Sequence, residues 1–268
     1  MSTIRRLLPP LAALAALLAL AAPATADQKP PQAPGPGAPY RAAVLGDHPR
    51  AYWRLSERAP GQTLVAEDER HDLPGSYQGS PTLGVPHLLG DDCRDDEASA
   101  DFDGLVTQPL GQWIQVTDGD VVAYPGREPF TLEAWVHPHN LNTVTRRVFS
   151  KEGPDGGYLL GVRSDGLVFS RYAYGEWSTL RTSVDATSWT YVVATYDGAV
   201  MSVYVNGWLA AQGPSELELP AEREDLSIGA KQGRWRFFAG GLDELAIYDY
   251  ALSNGRALAH YRVGGGTP

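Results

Sequence analysis

Apolar and polar side chains alternate with a period of two along several short segments, most clearly over residues 189–212. This period is typical of β-strands, whose successive side chains point to opposite faces. Asp197-Gly198 and Asn206-Gly207 interrupt the alternation, and such pairs favour tight hairpins because both turn residues accept positive φ values. The segment therefore predicts three antiparallel strands joined by two turns. Both faces of these strands carry large apolar side chains, which predicts a second sheet against one face and an aromatic-rich, concave or partly covered surface on the other.

The same pattern predicts further short strands. They span residues 51–55, 98–102, 113–116, 130–136, 147–151, 158–162, 167–172, 177–182, 216–218, 226–229, 236–238 and 242–248. Glycines and prolines break the pattern between residues 59 and 90, which predicts turns there. One helical turn is expected at residues 40–45, and a helix at residues 252–261, with Ser253 as its N-cap and Gly264 beyond its end. These elements indicate one all-β domain, a two-sheet antiparallel jelly-roll sandwich with a short C-terminal helix.

The N-terminal segment differs in composition from the rest of the chain. Residues 1–26 combine a basic start, an apolar run and a small-residue site ending at Ala26, which predicts a cleavable signal peptide. The alternative is an N-terminal membrane anchor that stays uncut. Residues 27–39 hold five prolines and predict a semi-rigid Pro-rich linker before the domain at residues 40–264. We expect a secreted, extracellular or cell-surface protein without a transmembrane segment after signal removal.

The charge and the cysteine count narrow the choice of partners. The formal net charge is −10 and no basic cluster offsets it, which argues against nucleic acid as a partner. Cys93 is the only cysteine, so no disulfide can form within the chain. Neighbouring aspartates disfavour the reactive thiolate of such a cysteine. Cys93 either stays free or joins two chains, and the sequence leaves the oligomeric state open.

Several short motifs follow one another in the domain: YWRL (52–55), FTLEAW (130–135), VFSKEG (148–153), WTYVVATYDG (189–198), VYVNG (203–207), LSIG (226–229) and FAGGLDELAIYDYALS (238–253). Their order and spacing resemble the laminin-G-like domains of the concanavalin A-like lectin/glucanase superfamily, in the pentraxin-like bacterial subgroup. The resemblance covers residues 40–264. It implies a concanavalin A-like jelly roll of two curved antiparallel sheets, commonly with a structural calcium.

The resemblance also implies two calcium ligands. One is Asp243 in the GLDE run, and the other is an acidic residue of the N-terminal loop, for which Asp68 is the best match. Calcium prefers oxygen ligands from carboxylates, carbonyls and water. Asp243 is expected where a strand begins, on the parity of Leu245 and Ile247, and a buried, hydrogen-bonded carboxylate without metal is the alternative. The usual Asp-x-Ser-Gly pattern is replaced after Asp68 by residues that include Arg70, which could substitute for the cation.

Carbohydrate recognition requires exposed aromatic faces beside hydrogen-bonding groups. One cluster with this composition has Tyr172, Tyr174 and Trp177 beside Arg171, Glu176 and Arg181, and a second has Gln232, Arg234 and Trp235. From these, the candidate ligand-binding residues are Tyr172, Tyr174, Trp177, Arg181, Arg234 and Trp235. The alternative is that these aromatic residues fill the sandwich or cap its edge.

The sequence contains no residue pattern typical of catalysis. Retaining glycoside hydrolases need two carboxylates about 5 Å apart, and the alternating acids of the glucanase branch are absent. No nucleophile elbow is present either. The sequence therefore favours a secreted, non-catalytic module that binds a carbohydrate or an extracellular protein. Two alternatives stay open: a glycoside hydrolase or lyase of the same superfamily, and a cell-surface structural subunit that assembles through its sheet edges and Cys93.

Overall fold

Strands dominate the part of the chain that the computed structural model describes, namely residues 38–58, 65–86, 98–105, 111–183 and 188–265. In chain order, the elements are α1 Ala38–Gly46, β1 Ala51–Trp53, β2 Val65–Ala66, β3 Gly75–Gln78, β4 Thr82–Val85, β5 Ser99–Asp103, β6 Trp113–Val116, β7 Phe130–Pro138, β8 Arg146–Glu152, β9 Gly156–Arg163, β10 Gly166–Ala173, β11 Glu176–Arg181, β12 Thr190–Tyr196, β13 Val200–Val205, β14 Trp208–Pro214, β15 Leu226–Ile228, β16 Ala239–Tyr248 and α2 Asn254–Val263.

The strands form two antiparallel sheets of eight strands each, the two layers of a jelly-roll sandwich. One sheet has the order β14-β13-β12-β7-β16-β5-β4, with β1 paired to β16. Both helices pack on it, so we call it the helix-covered sheet. The other sheet has the order β11-β10-β9-β8-β15-β6-β3-β2, and we call it the open sheet. The predicted fold class is confirmed.

The main hydrophobic core lies between the two sheets. Phe130 of β7 stacks on Tyr124 with 4.9 Å between ring centroids, and its ring lies 4.7 Å from that of Tyr158 on β9. Tyr196 of β12 reaches the same cluster from the neighbouring strand. Burial of one large apolar side chain stabilises a fold by about 1.5–3 kcal/mol, so a core of this kind holds the domain without an internal disulfide.

The other face of the helix-covered sheet packs against both helices. Tyr191 and Val193 alternate along β12 with the core residues and join a second buried cluster. Tyr40 of α1 and Ala257 of α2 complete this cluster from above the sheet. The apolar side chains on both faces of the meander are thereby explained, because one face meets the open sheet and the other is covered by helices.

A buried ion pair lies within this second cluster. The carboxylate of Glu133 accepts hydrogen bonds from the hydroxyl groups of Tyr40, Tyr191 and Tyr248, and His260 Nδ1 lies 3.0 Å from its Oε1. Burial alone would raise the pKa of Glu133, but the charge and hydrogen bond of His260 and the tyrosine hydroxyls lower it overall. Burial likewise disfavours the His260 charge, yet Glu133 raises the pKa of that histidine. Both shifts favour the ionised form of the pair.

Most predicted elements are confirmed. The meander forms as β12, β13 and β14, and the C-terminal helix begins where expected, since Ser253 Oγ accepts a hydrogen bond from the Arg256 N–H. Gly264 is its C-cap. The N-terminal turn extends to the nine-residue helix α1.

Three predictions of local structure are wrong. Residues 65–85 contain the strands β2, β3 and β4 where turns were expected. Gly75 of β3 pairs with Val116 of β6, and Ile114 of that strand fills the space that a Cβ of residue 75 would need. Residues 216–218 and 236–238 are not strands, and nearby Leu219 forms only an isolated bridge with Gly126.

A β-bulge in β16 changes the expected environment of Asp243. The register shifts between Asp243 and Ala246, and Glu244 has a φ of 51°. Leu242 and Leu245 therefore both enter the main core, which strict alternation would forbid. Asp243 lies inside the strand rather than at its beginning, and the parity inferred from Leu245 does not extend across the bulge.

Three expectations fall outside the described residues. The signal peptide, most of the Pro-rich linker and Cys93 belong to segments of which the structure gives no description. Within the described ranges, neither helix is long and apolar enough to cross a membrane.

Candidate functional site

One row of directly paired residues crosses the outer face of the open sheet. From β3 to β11 the row contains Ser76, Gln115, Ser227, Ser150, Leu159, Ser170 and Thr179. Directly paired residues share one face of a sheet, and these alternate with core residues such as Ile228 and Phe169. The row therefore points away from the core. Its mostly small side chains leave space above the sheet, and larger side chains around the row enclose this space.

Three cavities formed by described residues open on this face. The aromatic cavity, about 610 Å³, is lined by Tyr172, Trp177, Lys231, Gln232 and Trp235, among others. The acidic cavity, about 600 Å³, is lined by Trp113, Gln115, Glu222, Arg223, Glu224 and Asp225, among others. The arginine cavity, about 340 Å³, is lined by Arg147, Arg181 and Trp177, among others. The aromatic and acidic cavities share Pro154, Glu224 and Gln232, so the two are adjacent.

A stacked aromatic pair forms one wall of the aromatic cavity. Tyr172 of β10 and Trp177 of β11 are directly paired, with ring centroids 4.6 Å apart and planes inclined by 26°. The connecting turn uses Tyr174 and Gly175, both with positive φ, as a tight hairpin requires. The Tyr172 hydroxyl donates to the Pro154 carbonyl, which fixes that ring, and Trp177 is 50% exposed. The pair offers a flat apolar face to solvent.

The opposite wall is a short loop between β15 and β16. Lys231 and Trp235 bridge its ends, and Gln232 and Gly233 at its tip have φ values of 50° and 58°. A Cβ at Gly233 would overlap the indole of Trp113, so only glycine lets the loop lie this close to β6. The loop leaves Trp235 55% exposed at the cavity.

A charged network lies beneath this loop. Arg147 binds both carboxylate oxygens of Glu152 at 2.7 and 3.1 Å, while Ser150 Oγ and Lys231 Nζ donate to the same carboxylate. Burial would raise the pKa of Glu152, but Arg147 above all, together with Ser150 and Lys231, lowers it overall. Gln232 Nε2 donates to the Glu152 carbonyl at 2.7 Å. These contacts fix the polar groups of the cavity before any ligand binds.

The structure separates the predicted ligand-binding residues into groups. Tyr172, Trp177 and Trp235, which belong to two clusters distant in sequence, line one cavity together with Gln232. Arg181 lines the neighbouring arginine cavity, which Trp177 also borders.

Four further residues of the two clusters do not line these cavities. Glu176 is exposed at the beginning of β11. Tyr174 is 73% exposed at the hairpin tip, and Arg234 is exposed on the loop. Arg171 is fully buried on the core side of β10, with its guanidinium 3.5 Å from the centre of the Tyr196 ring. It alternates with Tyr172 along the strand, so it is not available to a surface ligand.

Asp68 occupies a site built from backbone amides. Its Oδ1 accepts the N–H groups of Tyr52 and Arg70, and its Oδ2 accepts those of Asp72 and Leu73, at 2.9–3.1 Å. This donor set does not fit a calcium ligand, because an ion would have to displace N–H groups that already occupy both oxygens. Among the described residues, no group of three or more His, Cys, Asp or Glu side chains is arranged to hold a metal ion. Asp243 is buried in β16, and the calcium implied there stays a prediction.

The sequence interpretation missed the acidic cavity and the Arg147–Glu152 network. Glu222, Glu224 and Asp225 are close in the chain and lie directly before β15. This density of acidic residues was the only feature of the sequence that could have indicated the acidic cavity, but it does not show that one of the acids is buried. No local sequence pattern indicates the contact between Arg147 and Glu152, because this contact depends on a bulge in β8 between Arg147 and Phe149.

A family model for the concanavalin A-like lectin/glucanases superfamily, of the laminin G type, matches residues 107–256, more than half of the chain. The chain belongs to this superfamily. No curated protein matches the sequence significantly.

Solved structures with the same fold include several binding domains. The binding domain of Paraclostridial Mosquitocidal Protein 1 has a TM-score of 0.61 and 12% identity, with 79% of this chain and 51% of that chain covered. Domain 4 of AbnA, an extracellular GH43 arabinanase from Geobacillus stearothermophilus, in complex with arabinotriose, has a TM-score of 0.57 and 20% identity over 79% and 97% of the two chains. Botulinum neurotoxin type C, which depends on two ganglioside molecules to get into cells, has a TM-score of 0.61 and 13% identity over 84% and 53%. This chain spans about half the length of the first and third structures. Such identities show a common fold.

Proposed function

We propose that this protein is an exported, non-catalytic module that binds glycans on the outer face of its open sheet. The observation that carries the proposal is the aromatic cavity, in which the stacked Tyr172–Trp177 pair faces the Trp235 loop. Flat aromatic faces stack on the apolar faces of sugar rings, and nearby amide and ammonium groups bind their hydroxyls. Gln232 and Lys231 supply those groups at the same cavity.

Two further observations support this reading. Trp177 and Trp235 are each about half exposed, and tryptophan is enriched where binding energy concentrates. The solved structures with this fold include a domain in complex with arabinotriose and a toxin that interacts with gangliosides. Their ligands are carbohydrates of different kinds, so the fold favours a glycan without naming it.

The test is a glycan array with the mature chain, followed by calorimetry on the best oligosaccharide. We expect Trp177→Ala and Trp235→Ala each to weaken binding about tenfold, as loss of one anchoring aromatic does. Trp208→Ala is the matched control, because Trp208 is 56% exposed but belongs to β14 of the other sheet. Equal affinity for all three variants and the wild type would contradict this site. Absence of any glycan ligand would contradict the function and favour an extracellular protein as the partner.

The glycoside hydrolase alternative has one observation in its favour, the buried carboxyl of Glu222 in the acidic cavity. We propose a non-catalytic role, so incubation with a polysaccharide panel should release no reducing sugar. Release of reducing sugar that Glu222→Gln abolishes would establish a hydrolase instead.

The alternative of a structural subunit predicts oligomers that depend on Cys93. Light scattering of the wild type and of Cys93→Ser tests this alternative.

A further inference from the structure

Glu222 is a buried residue with its carboxyl group at the acidic cavity. Its side chain lines the cavity, yet the residue is only 7% exposed. Among the described residues, none donates a hydrogen bond to it or forms an ion pair with it. Burial above all, with the charges of Asp155 and Glu224, raises the pKa of Glu222, and Lys151 opposes that rise. A bound cation would stabilise the ionised form of a carboxyl group in this position.

The position of Glu222 is built into the fold. A Cβ at Gly153 would overlap the Glu222 carboxylate, so the acid rests on a glycine at the end of β8. The Gly153 N–H donates to the Gly156 carbonyl at 2.8 Å, which fixes the turn between β8 and β9. Leu219, shortly before Glu222, exchanges backbone hydrogen bonds with Gly126. Both supports hold the carboxyl at the cavity rather than in bulk solvent.

The charges around Glu222 favour a positively charged ligand. Glu222, Glu224 and Asp225 line the cavity with one cationic side chain, that of the exposed Arg223. Asp225 is fixed, because Gln115 Nε2 donates to its Oδ2 at 2.6 Å. No ion pair joins Arg223 to a carboxylate within the described ranges. The cavity therefore carries an excess of negative charge that a cationic ligand would neutralise.

We propose that the acidic cavity binds the protonated amine of an amino sugar, with Glu222 as its principal counter-charge. This inference rests on the proposed function and specifies its ligand class. The acidic and aromatic cavities share Pro154, Glu224 and Gln232, so an oligosaccharide can occupy both. In this proposal one ring stacks on the Tyr172–Trp177 pair and the amine of another ring meets Glu222. An unmodified or N-acetylated sugar offers no positive charge at that position.

The test compares three hexasaccharides of one backbone geometry by calorimetry: the β-1,4-linked glucosamine hexamer, its fully N-acetylated form and cellohexaose. At a pH where amine and carboxyl are both ionised, we expect the glucosamine hexamer to bind about tenfold more tightly than the other two. Glu222→Gln should remove this preference. Arg223→Gln should increase it, because it removes the competing cation. The preference should also fall as the pH drops and Glu222 becomes protonated.

The outcomes separate this inference from the proposed function. Equal binding of all three hexamers, unaffected by Glu222→Gln, would overturn the amine site while the aromatic site stands. Failure of every oligosaccharide to bind would overturn both. Binding of a lysine-rich peptide in place of the glucosamine hexamer, lost in Glu222→Gln, would overturn the amino-sugar assignment and point to a protein partner. Far-ultraviolet circular dichroism of each variant confirms that it is folded.

Discussion

At Asp68, four backbone N–H groups converge on one buried carboxylate. They come from Tyr52 on β1 and from Arg70, Asp72 and Leu73 in the following loop. Each oxygen accepts two donors, so the side chain joins the loop to the edge of the helix-covered sheet. An oxygen replaced by an amide NH₂ would turn a donor toward two N–H groups and leave them without an acceptor.

We therefore expect Asp68→Asn to lower the free energy of unfolding by roughly 2–4 kcal/mol, the cost of losing charged acceptors for buried donors. Asp72→Asn is the matched control, since Asp72 is exposed and its contact with Arg50 is 3.5 Å long. Its effect should stay below about 0.5 kcal/mol. Urea denaturation followed by tryptophan fluorescence measures both.

The same variant tests the calcium that the family resemblance implies. If the amides alone hold Asp68, the loss of stability is equal in calcium and in chelator. A loss confined to calcium-containing buffer would place an ion at Asp68. For Asp243, calcium predicts that chelation lowers the melting temperature of the wild type and that Asp243→Asn removes this sensitivity.

At the scale of elements, the Glu133–His260 pair joins helix α2 to strand β7. His260 Nδ1 lies 3.0 Å from Glu133 and its Nε2 lies 3.1 Å from Asp47 Oδ2. Only a doubly protonated imidazole donates from both nitrogens, so this arrangement favours the charged histidine. Asp47 also accepts from Arg256 of α2, and that cation partly opposes the histidine charge.

These contacts predict how stability depends on pH. The raised pKa of His260 contributes stability that is complete below its unfolded value of about 6.5 and is lost as the pH rises through the folded value. The lowered pKa of Glu133 contributes stability that is complete above about pH 4.3 and is lost as the pH falls through the folded value. Both contributions are therefore complete between about pH 4.3 and 6.5.

We expect His260→Gln to cost about 3 kcal/mol in this window, because it leaves Glu133 buried without its cation. The difference from wild type should shrink on the alkaline side of the window. Unfolding free energies measured from pH 5 to pH 9 test this, a range in which Tyr191 and Tyr248 stay neutral because burial raises their pKa values. Arg256→Gln, which removes a half-exposed cation, is the control and should cost less than about 1 kcal/mol. Parallel pH profiles for wild type and His260→Gln would contradict the assignment.

The sequence predicts elements well where alternation and turn residues agree. The meander β12–β14 and the N-cap at Ser253 are local patterns, and both form as predicted. Strand β3 was missed because glycines are typical of turns, and no local pattern shows that Ile114 of the neighbouring strand packs closely against Gly75. The bulge after Asp243 also depends on pairing with β7, which no local pattern encodes.

For the binding site too, features that depend on local sequence were predicted, and features that depend on contacts between distant segments were missed. Aromatic residues were found from composition, and the structure brings Tyr172, Trp177 and Trp235 to one cavity. Glu222 was missed, since its burial depends on Gly153, which lies about 70 residues earlier in the chain. Contacts between distant segments decide which polar residues face a ligand, and alternation alone does not specify them.

At the scale of the whole molecule, the two sheets have different outer surfaces. Helices α1 and α2 cover one sheet, whereas cavities lined by exposed aromatic residues occupy the other. Trp177 and Trp235 are half exposed on the open side, and Trp208 is exposed at the edge of the helix-covered sheet. A ligand on the open sheet should therefore shield the first two and leave the third accessible to solvent.

This asymmetry predicts how acrylamide quenches the tryptophan fluorescence of the protein. A saturating glycan should lower the quenching constant of the wild type, because it covers Trp177 and Trp235 while Trp208 stays exposed. In Trp208→Phe the remaining accessible emission comes mainly from the open sheet, so the same ligand should protect a larger fraction of it. In the double variant Trp177→Phe, Trp235→Phe, ligand should leave quenching unchanged. Protection that depends on Trp208 instead would place the ligand at the sheet edge beside β14 and contradict binding on the open face.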